Sequence, residues 1–116
     1  MHRKSESLLS DIQTFCEYIV EFTKDSTFEQ YMQHPMLRHA VERNFQTLGE
    51  AMIRLQRVEP RLAESFESSG AIIGLRHRLA HGYLEDIDDV IIWEAATIHI
   101  PSVLRQIELL LPSDKH

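Results

Sequence analysis

Several features that would mark a common class of protein are missing from this chain. It has a single cysteine, Cys16, so no disulfide can form within it and nothing favours an oxidising compartment. No apolar run approaches the ~20 residues of a membrane-spanning helix, and the first residues lack the pattern of a signal peptide. The chain also has no glycine-rich phosphate loop, strand-like alternation or internal repeat. We therefore expect a cytoplasmic protein with no membrane partner.

Positive charge is also scarce. Twelve lysines and arginines face 18 aspartates and glutamates, for a formal net charge of -6. Domains that bind nucleic acid over a broad surface are usually basic, so any RNA contact here must be local or supplied by pairing two protomers. With 116 residues, of which 43% are apolar and 26% charged, the chain has the composition of one folded domain spanning 1–116.

Helix signals divide the first half of the chain. Apolar residues return to one helical face from Leu8 to Phe22. Thr27 with Gln30 resembles a capping box, which predicts a short helix over 28–33. The pair His34-Pro35 then predicts the start of a long helix, since proline suits a first turn. Glu59-Pro60 predicts its end or a kink.

The long helix has one apolar face, which predicts that it is central to the fold. Its large apolar residues recur at spacings of three and four: Leu37, Val41, Phe45, Leu48, Met52 and Leu55. Small Gly49 and Ala51 interrupt them on either side of Glu50, so a neighbouring helix is expected to approach closely there.

Two further helical segments follow. The first is predicted over 71–81, with Ile72, Ile73, Leu75 and Leu79 buried, and ends near Gly82. The second is predicted over 90–111, with a kink or break around Pro101. Its expected inner positions are Ile91, Ile98, Leu104, Ile107 and Leu111. The pattern as a whole predicts an all-α, antiparallel helical bundle.

Most of the usable chemistry lies in one short stretch, 74–83. Arg76 is followed after four residues by His81 and, one residue later, by Tyr83. In RNA cleavage the 2'-hydroxyl attacks the adjacent phosphorus, so one proton must leave that oxygen and another must reach the departing 5'-oxygen. Histidine can move either proton near neutral pH, and arginine can hold the phosphate through two parallel hydrogen bonds. The stretch therefore predicts metal-free phosphodiester chemistry.

The spacing of the two residues limits how they can cooperate. Five positions on an ideal helix are ~140° apart, so Arg76 and His81 diverge unless the helix loosens near Gly82. A two-fold dimer offers another solution, because it brings two arginines and two histidines into one cleft. The alternative is that these residues have no catalytic role. Arg76 and Arg78 would then be solvated helix residues, and His81 would be stabilised at the helix C-terminus by the helix dipole.

The stretch Arg76-His77-Arg78-Leu79-Ala80-His81-Gly82-Tyr83 matches the signature of HEPN-domain proteins of the HepT type, the ribonuclease half of HepT/MntA toxin-antitoxin pairs. The chain resembles this family more weakly at 35–37, 40–43 and 48–51, at Ile72-Ile73-Gly74, and at Ile92-Trp93 with Pro101. The resemblance implies a HEPN-type helical bundle that forms a homodimer with its cleft at the interface. It also implies RNA cleavage, with tRNA as the target, and no metal or other cofactor.

The resemblance further implies roles for individual residues. Arg76 and His81 would be the catalytic pair, and His77, at the polar position where this family often has asparagine, would be a further catalytic residue. Tyr83 matches the tyrosine that the nucleotidyltransferase antitoxin, MntA, modifies with AMP. The alternative from another class is a HEPN module that docks a nucleotidyltransferase or a nucleotide without cutting RNA.

Three other patterns have two interpretations each. His77 and His81 have the i, i+4 spacing of two zinc ligands, with His99 or Glu50 as a third, but no recognisable motif supplies that ligand. Trp93 is expected in the core or at an interface rather than stacked on a base. Five arginines could extend an RNA-binding surface, although interleaved glutamates favour a salt-bridged helix face instead. These are Arg38, Arg43, Arg54, Arg57 and Arg61.

Overall fold

A computed structural model describes residues 3–81 and 88–111, and within these ranges all regular structure is helical. The helices are α1 (Arg3–Thr23), α2 (Phe28–Met32), α3 (Pro35–Val58), α4 (Pro60–Glu64), α5 (Ser69–His81), α6 (Asp89–Glu94) and α7 (Ile100–Leu110), with a π-helical turn (Ala95–His99) between the last two. The all-α prediction is confirmed. None of the described helices is both long and apolar enough to cross a membrane.

The predicted helix starts in the first half are confirmed, because each depends on local hydrogen bonds. The Gln30 backbone N–H donates to Thr27 Oγ1 over 3.1 Å, and the Thr27 N–H donates to Gln30 Oε1 over 2.9 Å. Together they form the expected capping box of α2. At the start of α3, His34 Nδ1 accepts from the Leu37 N–H over 3.1 Å, and Pro35 lies in the first turn.

Helix α3 is the centre of the molecule, since it packs along both α1 and α5. Its apolar face is buried as predicted at Val41, Phe45, Leu48, Met52 and Leu55. Helix α1 contributes Leu9, Ile12, Cys16 and Ile19 to the same cluster, and α5 contributes Ile72 and Leu75. Ile73 and Leu79 are only partly buried against that cluster. The core therefore holds α5 on one side of α3 and α1 on the other.

The last segment differs from its prediction in where it breaks and in which face it buries. The break is the π-helical turn, which ends two residues before Pro101, a residue with no N–H to continue an ordinary helix. Ile91 and Ile98 are 38% and 61% exposed, so the prediction that they lie inside is wrong. The prediction is confirmed for Ile107, and Leu104 and Leu111 are partly buried. The buried face comprises Ile92, Ala95, Ala96, Ile100, Val103 and Ile107. The small residues Ala95 and Ala96 allow close packing there, while Ile91 and Ile98 lie outside this face.

Trp93 belongs to this packing, as predicted. Its ring lies 5.1 Å from that of Tyr31 and 6.0 Å from that of Phe28, measured between centroids. The aromatic group joins α6 to α2 and is partly buried against the core.

Candidate active site

Helix α5 carries the arginine and histidines of the candidate site on its last turns. It begins at Ser69, two residues earlier than predicted, and remains helical to His81. Gly82 and Tyr83 lie outside the described residues. The described part of the site therefore comprises Arg76, His77 and His81 and what surrounds them.

Arg76 lies where α5 comes closest to α3. A β-carbon placed on Gly49 would run into the Arg76 Cβ and lie 2.7 Å from its Cγ, well inside van der Waals contact. The same β-carbon would lie 3.5 Å from the Ile72 carbonyl oxygen. The close approach predicted from the small residues of α3 is thus confirmed, and it occurs at the arginine of the motif.

The guanidinium of Arg76 is held loosely enough to bind something else. Arg76 Nη2 lies 3.7 Å from Glu50 Oε1, a long ion pair whose arginine side chain is 23% exposed and whose glutamate is 51% exposed. Arg76 Nε is buried and has no hydrogen-bond partner among the described residues. A buried donor without an acceptor costs free energy, which an oxygen of a bound anion would recover. Arg76 is therefore suited to hold a phosphate.

His77 and His81 are exposed on the outer side of α5. Their rings stack with centroids 6.2 Å apart and an interplanar angle of 24°. Because α5 is a regular helix, His81 is rotated by ~140° from Arg76 but only ~40° from His77. The structure thus brings His77 and His81 together within one protomer, and it does not bring His81 to Arg76.

Gln46 was not singled out from the sequence, yet it supports the end of α5. Its Nε2 donates to the Leu79 carbonyl oxygen over 3.1 Å, across from α3. The last carbonyl groups of a helix lack partners within it, so this bond ties down the turn that carries His81. The available signal was the stripe Gln46, Gly49, Glu50 and Ile53 on α3, which faces α5.

A groove of about 550 Å³ runs between α3 and α5 beside Arg76. Its charged lining is Arg54, Arg57, Arg76 and Glu50, and His77 stands at its edge. Ile53, Gln56 and Ile73 complete the wall. Three guanidinium groups against one carboxylate make the groove locally positive in a chain whose net charge is -6.

The arginines expected in a salt-bridged face are not salt-bridged. Within 3–81 and 88–111, none of Arg38, Arg43, Arg54, Arg57 and Arg61 forms an ion pair. Arg38 instead donates to the Met32 carbonyl oxygen, and Arg43 Nη1 donates to Gln46 Oε1 over 3.4 Å. The prediction of a salt-bridged face is therefore wrong, and Glu50 of α3 instead lies near Arg76 of α5.

The two histidines do not gain a third ligand of the kind considered for zinc. No group of three histidine, cysteine or carboxylate side chains in the described ranges is placed to hold a metal ion. His99 Nδ1 lies 3.1 Å from Ser68 Oγ, and Glu50 lies beside Arg76.

Comparison with known proteins identifies the family. A family model described as Ribonuclease HepT-like matches residues 12–110. The chain belongs to this family. A candidate RNase of Caldanaerobacter subterraneus subsp. tengcongensis is 32% identical over 107 residues, covering 92% of this chain and 94% of that protein. A candidate ribonuclease HepT of Thermococcus cleftensis is 28% identical over 110 residues, covering 95% and 98%. No solved structure gives a significant match.

Membership of the HepT-like ribonucleases confirms the resemblance and its HEPN-type helical fold. It also confirms the class of reaction, since this is a family of RNases. The bond to be broken is therefore an RNA phosphodiester, and the positive groove beside Arg76 is the candidate place for it.

Proposed function

We propose that this HepT-like ribonuclease is the toxin of a toxin-antitoxin pair and cleaves RNA, with tRNA as its target, without a metal ion. The observation that carries the catalytic part is the environment of Arg76. This half-buried guanidinium has a buried Nε with no hydrogen-bond partner among the described residues, and it faces a positive groove beside the His77–His81 pair.

In the proposed reaction, Arg76 holds the scissile phosphate and stabilises the charge that builds up on its oxygens. His81 accepts the proton of the attacking 2'-hydroxyl, and a second histidine gives a proton to the departing 5'-oxygen. His77 stacks on His81 and orients it. Glu50 keeps the Arg76 guanidinium in the groove without saturating it, because their 3.7 Å contact is long.

A single protomer does not meet this requirement, since Arg76 and His81 face directions ~140° apart on α5. We propose that the working unit is a homodimer with α5 of each protomer at the interface. Two copies of α5 across a two-fold axis place the arginine of one protomer opposite the histidine of the other. The same pairing doubles the local positive charge around the RNA.

The role of Arg76 is tested by Arg76→Gln against Arg105→Gln, an exposed arginine on α7 outside the groove. Loss of a preorganised donor to the transition state lowers kcat by about 10²–10³-fold. We expect that loss for Arg76→Gln and wild-type rates for Arg105→Gln, measured by cleavage of labelled RNA in the presence of a chelator. Equal rates for both variants would contradict the assignment.

The shared site is tested by mixing two inactive variants, Arg76→Ala and His81→Ala. Mixed dimers contain one intact Arg76, one intact His81 from the other protomer and both copies of His77, so part of the cleavage is expected to return after subunit exchange. Exchange is followed independently with two differently labelled protomers. Efficient exchange without recovery of cleavage would refute a site built from both protomers.

We further propose that a partner nucleotidyltransferase of the MntA type silences the toxin by transferring AMP to Tyr83. Tyr83 follows His81 by two residues, so a phosphate placed there would compete with RNA for Arg76. Mass spectrometry after incubation with the partner and ATP should show AMP on the wild type but not on Tyr83→Phe. Tyr18→Phe, which removes a half-exposed tyrosine on α1, is the control and should still be modified. Modification of Tyr83→Phe would overturn the proposal.

A further inference from the structure

Arg54 and Arg57 form a second positive region, apart from the motif. They lie one turn apart on α3, both are exposed, and neither has an ion-pair partner within the described ranges. Both line the groove that contains Arg76, and both also line a groove of about 350 Å³ between α1 and α3. They therefore stand where two grooves meet, and positive charge continues past the candidate site.

This inference rests on the proposed function and extends it. We propose that Arg54 and Arg57 bind the backbone phosphates of the unpaired RNA strand that flanks the bond held at Arg76. From Glu50, beside Arg76, to Arg57 the rise along α3 is about 10 Å, or two helical turns. A strand anchored at Arg76 and lying in the groove therefore passes both guanidinium groups.

The lining of the grooves favours the RNA backbone over its bases. Among the described residues, neither groove is lined by phenylalanine, tyrosine or tryptophan, and His77 is the lining ring on which a base could stack. Arginines that contact phosphates position a strand but carry no sequence information. The walls between them contain Ile53 and Ile73, which suit the apolar faces of ribose and offer no base-edge partner. Binding along this track is therefore expected to be tight at low salt and largely independent of sequence.

A single strand fits better than a duplex. The groove is a channel between two packed helices, and an unpaired backbone can bend to follow it. A duplex presents both backbones on a rigid cylinder and would meet only the rim of the groove. The local charge, three guanidinium groups against Glu50, also explains how a chain with a net charge of -6 attracts a polyanion at this place.

The test measures binding rather than cleavage. In a His81→Ala background, the affinity for a fluorescent, unstructured ten-nucleotide RNA is measured by anisotropy between about 50 and about 200 mM salt. Each single-strand phosphate contact contributes about -0.7 to the slope of log affinity against log salt, so Arg54→Gln/Arg57→Gln should flatten it by about 1.4. At low salt this variant should bind about tenfold more weakly, or ~1.4 kcal/mol.

Two matched variants control for net charge and for folding. Arg61→Gln/Arg105→Gln removes the same charge outside both grooves and should retain most of the parent slope. Arg54→Lys/Arg57→Lys keeps the charge at the site and should also retain it. Thermal unfolding checks that each variant is folded. Folding is expected to be retained because all four positions are exposed.

The proposal that Arg54 and Arg57 bind RNA phosphates would be overturned if Arg54→Gln/Arg57→Gln left the salt slope unchanged. It would also be overturned if Arg61→Gln/Arg105→Gln flattened the slope by the same amount. Unchanged RNA affinity with lost binding of the nucleotidyltransferase would also overturn it, by assigning the arginines to a protein partner. The outcome separates from the proposed function. If Arg54→Gln/Arg57→Gln flattens the salt slope but the wild type cuts no RNA, phosphate binding by these arginines is retained and the proposed catalysis is refuted. If the wild type cuts RNA but the salt slope is unchanged, catalysis is retained and phosphate binding by these arginines is refuted.

Discussion

Gly49→Ala places a methyl group where α3 and α5 are in closest contact. The new β-carbon would overlap the Arg76 Cβ and lie 2.7 Å from its Cγ. Carbon atoms in good contact are about 3.5–4.0 Å apart, so the helices must separate, or Arg76 must shift, by about 1 Å. Both responses move the guanidinium relative to Glu50 and to the groove.

The magnitude follows from two opposing effects. Replacing glycine by alanine inside a helix gains about 1 kcal/mol from backbone entropy. Forcing a methyl group into a packed contact costs about 1–3 kcal/mol. The net change expected for Gly49→Ala is therefore a loss of about 0–2 kcal/mol. A displacement of about 1 Å at a catalytic group lowers activity by about 10²-fold, so cleavage should suffer more than stability.

Gly74→Ala is the matched control, since Gly74 lies inside α5 two residues before Arg76 and a β-carbon there meets nothing within 4 Å. It should gain about 1 kcal/mol in the free energy of unfolding and keep its activity. Urea unfolding and RNA cleavage rates are measured for both variants. Equal stability and full activity of Gly49→Ala and Gly74→Ala would refute the claim that the Gly49 contact positions Arg76.

Three further predictions concern other elements. Gln46→Ala removes the hydrogen bond to the Leu79 carbonyl oxygen and should lower the free energy of unfolding by about 1 kcal/mol. Amide hydrogen exchange in the last turn of α5 should become faster, and unchanged exchange there would contradict this role of Gln46. Thr27→Ala removes the cap of α2 and should lower the free energy of unfolding by about 1 kcal/mol without slowing cleavage, as urea unfolding and rate measurements would reveal. Burial raises the pKa of the Cys16 thiol to about 12, so it should resist alkylation at pH 8 until the protein unfolds. The Cys16 thiol of the unfolded chain ionises at lower pH than that of the folded protein, so the free energy of unfolding should fall as pH rises from about 9 to about 12. Cys16→Ala should not show this part of the fall.

The helix boundaries that the sequence predicted correctly depend on residues close together in the chain. The side chains of Thr27 and Gln30 each accept a hydrogen bond from the other's backbone N–H. At the start of α3, His34 Nδ1 accepts from the Leu37 N–H. Such bonds form within one turn, so the sequence contains all the information that they require.

Features that depend on packing between helices were harder to predict. Ile91 and Ile98 are exposed, whereas Ile92 and Ile100, of the same size, are buried beside Ala95 and Ala96, so side-chain size did not identify the inner face. Within the described ranges Arg54 and Arg57 have no ion-pair partner, which the interleaved glutamates of the sequence did not reveal. Gly49 was recognised as a point of close approach, but the sequence did not reveal that its partner is Arg76.

The role of His81 is tested most directly by cleavage of purified tRNA in the presence of a chelator, with wild-type protein and with His81→Ala. His39→Ala, at an exposed position on α3, is the matched control, and circular dichroism checks the helicity of each protein. Cleavage is expected from the wild type and from His39→Ala, and folded His81→Ala should cleave at a rate at least 10²-fold lower. Undiminished cleavage by His81→Ala, or none by the wild type, would contradict the central claim that His81 moves a proton in RNA cleavage.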